Sequence, residues 1–412
     1  MKLPPEAPPL ANHPILSQFK TMHLNTLIIG AGAAGLMCAA HSGPNTLLID
    51  HAKAPGEKIR ISGGGRCNFT NLYAGPENFL SQNPHFAKSA LARYTQWDFI
   101  DLVAKHGIPY HEKTLGQLFC DTSAKDIIAM LRAEMGTTPL WLKTSADNIV
   151  HDGEKFHATL TRDGQQTKIT ARNLVLATGG KSIPKMGATG FAYDVAKQFG
   201  LDIITPRPGL VPLTFGDQFA PISGTALSSK VSANGTTFEE ATLFTHRGLS
   251  GPAILQASSY WAEGDEITLD LSPQNDLFKA LKSARQTQGR KALTNILGMH
   301  LPARLVSYLA DAQDLTGNLA DWSDAKLATL CQSLHHWELT PTGSEGYRTA
   351  EVTLGGINTD GLNAQTLEAK TQSGLYAIGE AVDVTGWLGG YNFQWAWSSG
   401  WAAGQAIKTR VN

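Results

Sequence analysis

The feature that most constrains the fold is Gly30-Ala31-Gly32-Ala33-Ala34-Gly35, which follows the β-rich run Asn25 to Ile29 and precedes a helical pattern. A G-x-G-x-x-G pattern is weakly specific alone, but between a strand and a helix it is typical of a dinucleotide-binding turn. Gly30 permits the tight turn, Gly32 lets the backbone approach a pyrophosphate, and Gly35 lets the helix pack closely on the sheet. Free N–H groups at the helix N-terminus then face the phosphates. The predicted nucleotide contacts are Gly30, Gly32, Ala33, Ala34 and Gly35.

A carboxylate ends the next predicted strand. This strand spans Thr46 to Asp50, so Asp50 stands twenty positions after Gly30. An acid at this place accepts hydrogen bonds from the ribose hydroxyls of an adenosine and repels a 2′-phosphate. The pattern therefore predicts the βαβ opening of a Rossmann-type sheet, and it disfavours NADP at this site.

A second glycine-rich loop, Ile61 to Asn68, follows this acid closely. Three consecutive glycines leave backbone N–H groups uncovered, which suits an anion or a flat ring. Arg66 would neutralise a pyrophosphate or orient a carboxylate. Cys67 is either redox-active or a small residue packed near the cofactor, and the second arrangement is the commoner one. The predicted cofactor contacts in this loop are Ser62, Gly63, Gly64, Gly65, Arg66, Cys67 and Asn68.

Two further glycine turns follow predicted strands. Small residues after the buried run Leu174 to Ala177 let a dinucleotide cross the sheet edge. Near the C-terminus, Asp383 follows another strand and is the candidate for the ribityl hydroxyls of a flavin. The helix after Gly390, with its positive N-terminal end, would stabilise negative charge on the pyrimidine edge of reduced flavin. The contacts predicted here are Thr178, Gly179, Gly180, Gly379, Glu380, Asp383, Gly389, Gly390, Tyr391, Asn392 and Phe393.

The order of the patterns predicts an α/β protein in which one FAD-binding domain is built from both ends of the chain. Residues 22–199 and 341–412 would form that domain, interrupted by a β-rich segment, 200–271, and a mostly helical one, 272–340. Residues 1–21 hold several prolines and no apolar core, so we expect a flexible tail and not a signal peptide. Either Met1 or Met22 is then the natural start.

The coarse secondary structure follows from hydrophobic periodicity. Helices are predicted near Pro84 to His106 and near Ser123 to Met135. Short alternating runs from Leu140 to Thr170, including Trp141 to Lys143, predict an antiparallel β layer. The run Leu174 to Ala177 is predicted as a separate strand that returns to the main sheet.

Composition limits the classes of partner. Lys and Arg number 34 and Asp and Glu 35, so the net charge of −1 gives no sign of a nucleic-acid or membrane partner, although it leaves a local basic patch open. Four widely spaced cysteines argue against a disulfide framework and a zinc site and fit a reducing compartment. No apolar run is long enough for a membrane span. We expect a cytoplasmic protein with a small-molecule substrate, no metal, no nucleic acid and no membrane partner; the oligomeric state stays open.

Catalytic residues are less clearly marked. Thr245 to Pro252 is a compact polar turn in which His246 and Arg247 either bind substrate as acid and base or hold a domain interface together. Arg66 and Tyr391 are the remaining candidates for residues that tune the reactivity of the substrate or the flavin.

Segments along most of the chain resemble the BaiN-like (YhiN-like) family of bacterial FAD-dependent flavoproteins. The similar segments are Leu27 to Gly35, Ile61 to Asn71, Ala177 to Ser182, Pro184-Lys185 with Gly187 to Gly190, Thr245 to Leu255, Ala350 to Thr353 with Gly355-Gly356, Gly374 to Asp383, and Gly389 to Gly400. The resemblance implies one FAD per chain in a glutathione-reductase-like Rossmann domain, and an insert made of a small β-barrel and a helical subdomain. It also implies an oxidoreductase, in some members NAD(P)-linked. One branch reduces a C=C bond of bile-acid-like substrates, a substrate that we do not carry over.

Three hypotheses on function follow. The first is an FAD-dependent oxidoreductase that transfers hydride through flavin N5 to or from a small organic molecule, with NAD(P)H as a transient donor because only one dinucleotide fingerprint is present. The alternative is a flavoprotein that binds or modifies a macromolecule such as a nucleic acid, or a redox-responsive binding protein. An oxygen-using hydroxylase is the third.

Overall fold

The computed structural model describes residues 21–411, so the predicted tail, 1–21, lies outside the described residues except for Thr21. The strands are β1 (Met22–Ile29), β2 (Thr46–Ile49), β3 (Asn68–Asn71), β4 (Phe79–Leu80), β5 (Tyr110–Glu112), β6 (Gln117–Cys120), β7 (Leu140–Trp141), β8 (Thr144–His151), β9 (Phe156–Arg162), β10 (Gln165–Leu176), β11 (Ile203–Gly209), β12 (Leu213–Thr214), β13 (Ala226–Ala233), β14 (Thr236–Thr245), β15 (Gly248–Ser250), β16 (Ile267–Asp270), β17 (Trp337–Leu339), β18 (Gly343–Ser344), β19 (Val352–Ile357), β20 (Leu375–Ala377) and β21 (Thr385–Gly386).

The helices lie between these strands and after the last one. They are α1 (Ala33–His41), α2 (Glu57–Gly65), α3 (Lys88–Arg93), α4 (Gln96–Lys105), α5 (Ala124–Glu134), α6 (Phe191–Gln198), α7 (Pro252–Ser258), α8 (Leu277–Gln288), α9 (Leu293–Leu297), α10 (Ala303–Ala312), α11 (Asp324–His335) and α12 (Tyr391–Val411).

A mainly parallel sheet carries the glycine turns. Its strand order is β7-β2-β1-β10-β9-β8, and β20 pairs with the last residues of β10. In the parallel part, Ile29 is paired with Leu176, and Leu176 with Ala377. The carboxyl ends of β1, β10 and β20 therefore lie side by side at one edge, which is where open α/β sheets bind their ligands.

Two strand predictions differ from the structure. The predicted strands at 166–170 and 174–177 are one strand, β10, because β1 runs beside it from Ile169 to Leu176. The first part of β10 pairs antiparallel with β9, and its last three residues pair parallel with β20. This single strand therefore belongs to both the antiparallel and the parallel part of the sheet. Trp141 was predicted in the antiparallel layer; it lies in β7 and pairs parallel with Ile49 of β2.

The predicted helix over Pro84 to His106 is interrupted. Thr95 has an extended backbone, and its side chain accepts a hydrogen bond from the N–H of Asp98, whose carboxylate in turn accepts from the N–H of Thr95 at 2.7 Å. This reciprocal cap starts a new helix, α4, and separates it from α3.

The last helix, α12, packs on both α1 and β3. At Gly404, an added Cβ would lie 2.9 Å from the carbonyl oxygen of Cys38, so the two backbones approach more closely than a side chain would allow. On the other side, the indole of Trp397 donates to the carbonyl oxygen of Phe69 at 2.8 Å and stacks on Phe99 with ring centres 4.4 Å apart. The C-terminal helix is thus enclosed by N-terminal elements.

A second hydrophobic core lies in the middle of the chain, between Leu213 and Leu339. Its sheet has seven antiparallel strands in the linear order β17-β16-β13-β14-β15-β12-β18, and α8 to α11 lie between β16 and β17 in sequence. β11 pairs with β19 and not with this sheet, so these two strands form the connection. The boundaries at 200 and 340 stay a prediction.

We predict that Trp397→Phe lowers the free energy of unfolding by about 1–3 kcal/mol, because the buried carbonyl oxygen of Phe69 loses its donor while the ring stack is kept. Urea titration followed by circular dichroism measures this. Trp401→Phe is the matched control: it lies on the same helix, and its indole makes no hydrogen bond within residues 21–411. Equal effects of the two substitutions would contradict the prediction.

Candidate functional site

The first glycine turn combines two blocked positions with one open position. An added Cβ on Gly30, whose φ is +111°, would overlap the carbonyl oxygen of Ala177, and one on Gly35 would overlap the carbonyl oxygen of Gly30. At Gly32 no atom lies within 4 Å of the Cβ position. The protein itself therefore requires the first and third glycines, whereas the second borders open space at the N-terminus of α1, where a phosphate group fits.

Asp50 is held by backbone N–H groups on two sides. One carboxylate oxygen accepts from Ala31 at 2.6 Å, and the other accepts from Ala52 at 2.8 Å. The side chain is thus fixed beside the glycine turn and stays partly exposed. This placement supports the predicted ribose contact, which stays a prediction.

The second glycine loop leaves the helical conformation at the end of α2. Ser62 is extended, and Gly63, Gly64 and Gly65 have φ values of 56°, 66° and 85°. An added Cβ on Gly63 would lie 2.6 Å from the ring of Phe119, whereas Gly64 again borders open space. This loop therefore presents bare backbone on one side and packs on β6 with the other.

Arg66 and Cys67 differ in exposure. The side chain of Arg66 is exposed, but Cys67 is fully buried. Burial raises the pKa of the Cys67 thiol well above its usual range. A thiol held in its neutral form fits a small packed residue and not a redox-active thiolate.

The N-terminal loop and the C-terminal glycine turn meet in space. The side chain of Asn71 donates to the carbonyl oxygen of Gly389 at 2.9 Å, and Thr70 donates to the side chain of Gln394 at 2.7 Å. An added Cβ on Gly390 would overlap the carbonyl oxygen of Thr70. The same Cβ position lies 2.9 Å from the side-chain oxygen of Asn68, so the structure brings the end of the second glycine loop next to the C-terminal glycine turn.

The turns after β10 and β20 lie against the first glycine turn. Gly379 has a φ of +64°, and a Cβ there would lie 2.8 Å from the Cβ of Ala34. The hydroxyl of Thr178 is buried and has no hydrogen-bond partner among the described residues, and the same is true of Tyr193 and Tyr347. Buried polar groups are nearly always paired. An unpaired hydroxyl at the strand ends fits the polar ribityl or pyrophosphate part of FAD.

Both carboxylate oxygens of Glu380 accept hydrogen bonds from protein groups. One of its oxygens accepts from Lys58 at 2.6 Å, and the other accepts from Ser182 at 2.8 Å and from the N–H of Thr353 at 3.0 Å. Lys58 also donates to Ser182 at 2.6 Å. This network joins α2 to the turns after β10 and β20, and the predicted cofactor contact of Glu380 remains a prediction.

Asp383 is nearly buried, which raises the pKa of its carboxyl group. It accepts a hydrogen bond from the N–H of Gln82 at 2.9 Å. A buried carboxyl with one main-chain donor has further acceptor capacity for the hydroxyl groups of a ribityl chain.

The start of α12 contacts the inserted region. The N–H of Leu388 donates to the side chain of Gln256 at 3.0 Å, and Gln256 donates to Glu240 at 2.9 Å. Burial raises the pKa of Tyr391 to about 12, and the negative charge of Glu240 adds to the effect. Tyr391 therefore keeps its proton at neutral pH at the boundary between the two cores.

Two neighbours of Tyr391 have structural partners. The side-chain amide of Asn392 bonds to the N–H and the carbonyl oxygen of Gly386, each at 2.8 Å. Phe393 stacks on Trp397 with ring centres 5.6 Å apart. Their predicted contacts with the cofactor stay predictions.

His246 and Arg247 form the two-residue turn between β14 and β15, where Thr245 is paired with Gly248. Both side chains are exposed. Within residues 21–411 neither makes a side-chain hydrogen bond or ion pair with the glycine turns. The structure thus does not bring them into the cluster formed by the other candidates.

Sequence reasoning missed several residues of this site. Asn71, Ser182 and Thr353 lie in segments that carry the family resemblance, and this proximity was their only signal. No sequence signal marked Lys58 or Gln117, because their partners, Glu380 and Asn68, are distant in sequence.

Among the described residues no group of three or more His, Cys, Asp or Glu side chains is placed to hold a metal ion. No helix in residues 21–411 has the length and apolarity needed to cross a membrane.

The model of the family described as "HI0933-like protein Rossmann domain" matches residues 24–406. The chain belongs to this family. The predicted Rossmann-type FAD-binding fold, the family resemblance and the oxidoreductase class are thereby confirmed.

Two similar proteins are both named ribosomal RNA dihydrouridine synthase. The one from Escherichia coli (strain K12) is 51% identical over 93% of this chain and 98% of its own length, and the one from Haemophilus influenzae is 46% identical over 94% and 99%. A 3-dehydro-bile acid delta(4,6)-reductase from Clostridium scindens is 26% identical over 93% and 98%. A solved Mycobacterium smegmatis Sdh1 complex is 15% identical, with a TM-score of 0.50 over 95% of this chain and 69% of that one, and is similar in fold.

The prediction of a small-molecule substrate and no nucleic acid is wrong. Both relatives named ribosomal RNA dihydrouridine synthase match over almost their full length, and their name implies an RNA substrate. The prediction rested on net charge, which sums the whole chain and carries no information on a local contact surface.

We predict that Gly32→Ala weakens FAD binding about tenfold or more while the thermal stability of the FAD-free protein stays unchanged. Gly32 has an extended backbone that alanine adopts without strain, and no protein atom lies within 4 Å of the added methyl group, so the methyl group would obstruct only a pyrophosphate bound at this turn. Flavin fluorescence titration measures the affinity. Gly35→Ala is the contrast, since its Cβ overlaps the protein backbone and should destabilise the fold. Wild-type affinity in Gly32→Ala would show that FAD does not pass over this turn.

Proposed function

We propose that this chain is an FAD-dependent ribosomal RNA dihydrouridine synthase, which reduces the C5=C6 double bond of a uridine in ribosomal RNA. The observation that carries this proposal is the 51% identity with the E. coli enzyme of that name over nearly the whole of both chains. We place the reaction in the cytoplasm, where ribosomal RNA is found in bacteria.

The reaction must balance two electrons and two protons. A hydride adds to C6 of the uracil ring and a proton adds to C5, while the double bond between them is lost. FAD, when bound and reduced, would supply this hydride. The electrons come from a reductant, for which we propose NAD(P)H, so that uridine, NAD(P)H and a proton give dihydrouridine and NAD(P)⁺. Because the chain has one dinucleotide fingerprint, the nicotinamide cofactor would bind transiently.

The chain's own groups would hold the cofactor at the edge of the parallel sheet. The N-terminus of α1 and the open face of Gly32 would receive the pyrophosphate, with Asp50 at the ribose. Asp383 and the unpaired Thr178 hydroxyl supply polar contacts between the strand ends. The N-terminus of α12, after Gly390, would face the pyrimidine edge and stabilise negative charge there.

Two features favour a nucleobase over a fused-ring substrate such as a bile acid. The relative that acts on bile acid is 26% identical, about half the identity of the RNA-directed relatives. In addition, Arg66 and Tyr73 are exposed, and Asn71 links Tyr73 to the C-terminal glycine turn, so these side chains are accessible to a polymeric substrate.

The test uses ribosomal RNA from a strain that lacks the gene for this chain. We expect the purified protein with FAD and NADH or NADPH to convert uridine into dihydrouridine in that RNA, seen by mass spectrometry of nucleosides as a gain of two hydrogen atoms. Heat-inactivated protein and transfer RNA from the same strain are the controls.

Absence of dihydrouridine with either nicotinamide cofactor and with dithionite-reduced enzyme would overturn the proposed function. Activity with dithionite alone would keep the RNA reaction and would reject NAD(P)H as the donor.

A further inference from the structure

Exposed apolar side chains are concentrated in one segment of the described chain. Seven large apolar side chains are exposed among residues 21–411, and five of them lie between residues 61 and 115. Tyr73 and Leu115 are 66% and 57% exposed and are neighbours, because the Cβ position of Gly116 lies 2.7 Å from the Tyr73 ring. A single exposed apolar residue needs no explanation, but an adjacent pair at a ligand site indicates a contact surface.

A buried asparagine joins this pair to the proposed FAD site. Asn71 is 1% exposed, and its side-chain oxygen accepts from the N–H of Tyr73 at 2.9 Å. Its side-chain nitrogen donates to the carbonyl oxygens of Leu115, at 3.0 Å, and of Gly389, at 2.9 Å. One side chain therefore holds Tyr73 and Leu115 at the rim of the turn that begins α12.

The backbone of Leu115 is strained. Its φ and ψ are 59° and 34°, in the left-handed region, which glycine and asparagine adopt easily and bulky residues rarely do. The structure thus keeps an exposed leucine in an unfavourable conformation, where a polar or smaller residue would be more stable. Strained residues of this kind are held in place by the surrounding structure and cluster at ligand-binding sites.

We propose that Tyr73 and Leu115 hold the RNA while the target uridine is turned out of its base stack. Leu115 fills the gap that the uracil leaves, and Tyr73 stacks on the adjacent base. The inference rests on the proposed function, since it requires RNA as the substrate. Enzymes that act on ring atoms of a base must extrude that base, apolar side chains wedge into the vacated step, and aromatic rings stack on unpaired bases.

Two exposed cations lie in neighbouring segments of the chain. Lys113 is exposed, two residues before Leu115, and its ammonium lies 4.0 Å from the centre of the Phe119 ring, which packs on Gly63. Arg66 is exposed at the end of the same glycine loop. Lys113 and Arg66 would contact phosphates of the RNA backbone and so set its position over the two apolar side chains.

The test compares Tyr73→Ala and Leu115→Asn with the unaltered holoenzyme. We expect bound FAD and its rate of reduction to stay unchanged. Dihydrouridine formation at subsaturating ribosomal RNA and the affinity for that RNA should both fall about tenfold. Asparagine tolerates the left-handed backbone, so Leu115→Asn should melt at the same or a higher temperature, which separates a role in RNA binding from a structural role. Met299→Asn and Val150→Ala are the controls: both sites are exposed and apolar but lie elsewhere, and should change nothing.

Four outcomes are distinguishable. Loss of both activity and RNA affinity in the two variants supports the inference. If the unaltered enzyme forms dihydrouridine and both variants act and bind as it does, the inference fails and the proposed function stands. If the unaltered enzyme forms no dihydrouridine but binds ribosomal RNA through Tyr73 and Leu115, the function fails and the surface stands. An unaltered enzyme that neither reacts with nor binds ribosomal RNA overturns both.

Discussion

The site depends on the hydrogen bonds that join the C-terminal turn and helix to β3. Thr70 bonds to Gln394, Asn71 to Gly389 and Trp397 to Phe69, and all three contacts link residues more than 300 positions apart. Each contact is buried, so each replaces water with a protein partner at a place where an unpaired group would be costly. These bonds therefore hold the end of the second glycine loop beside the turn that begins α12.

Glycines in this site serve two distinct purposes. Gly30, Gly35 and Gly390 are required by the protein, because a side chain at any of them would overlap a neighbouring carbonyl oxygen. Gly32 is not, since its Cβ position borders open space and its φ of −79° is accessible to any residue. A glycine that nothing in the protein requires, at a helix start, is best explained by a ligand that needs close approach to the backbone.

The amino-acid composition led to a wrong prediction of the substrate class. A net charge near zero says nothing about how the charges are distributed, and it leaves room for cations at one loop, such as Arg66 and Lys113. Proteins that turn out a base rely on stacking and insertion as well as on charge. The sequence does not show which tyrosine and leucine side chains are exposed, because whether an apolar residue is buried depends on what packs over it.

The sequence by itself determined the features that depend on local spacing. The strand, glycine turn and helix at Ile29 to Gly35, the acid at Asp50 and the Rossmann-type class follow from residue types at fixed short distances. Only the tertiary structure decided which distant segments meet: the merging of two predicted strands into β10, the Lys58–Glu380 ion pair, and the position of Asn71 between Tyr73, Leu115 and Gly389. The physical reason is that backbone conformation responds to neighbours in sequence, whereas side-chain partners across the fold are selected by packing, which no local pattern records.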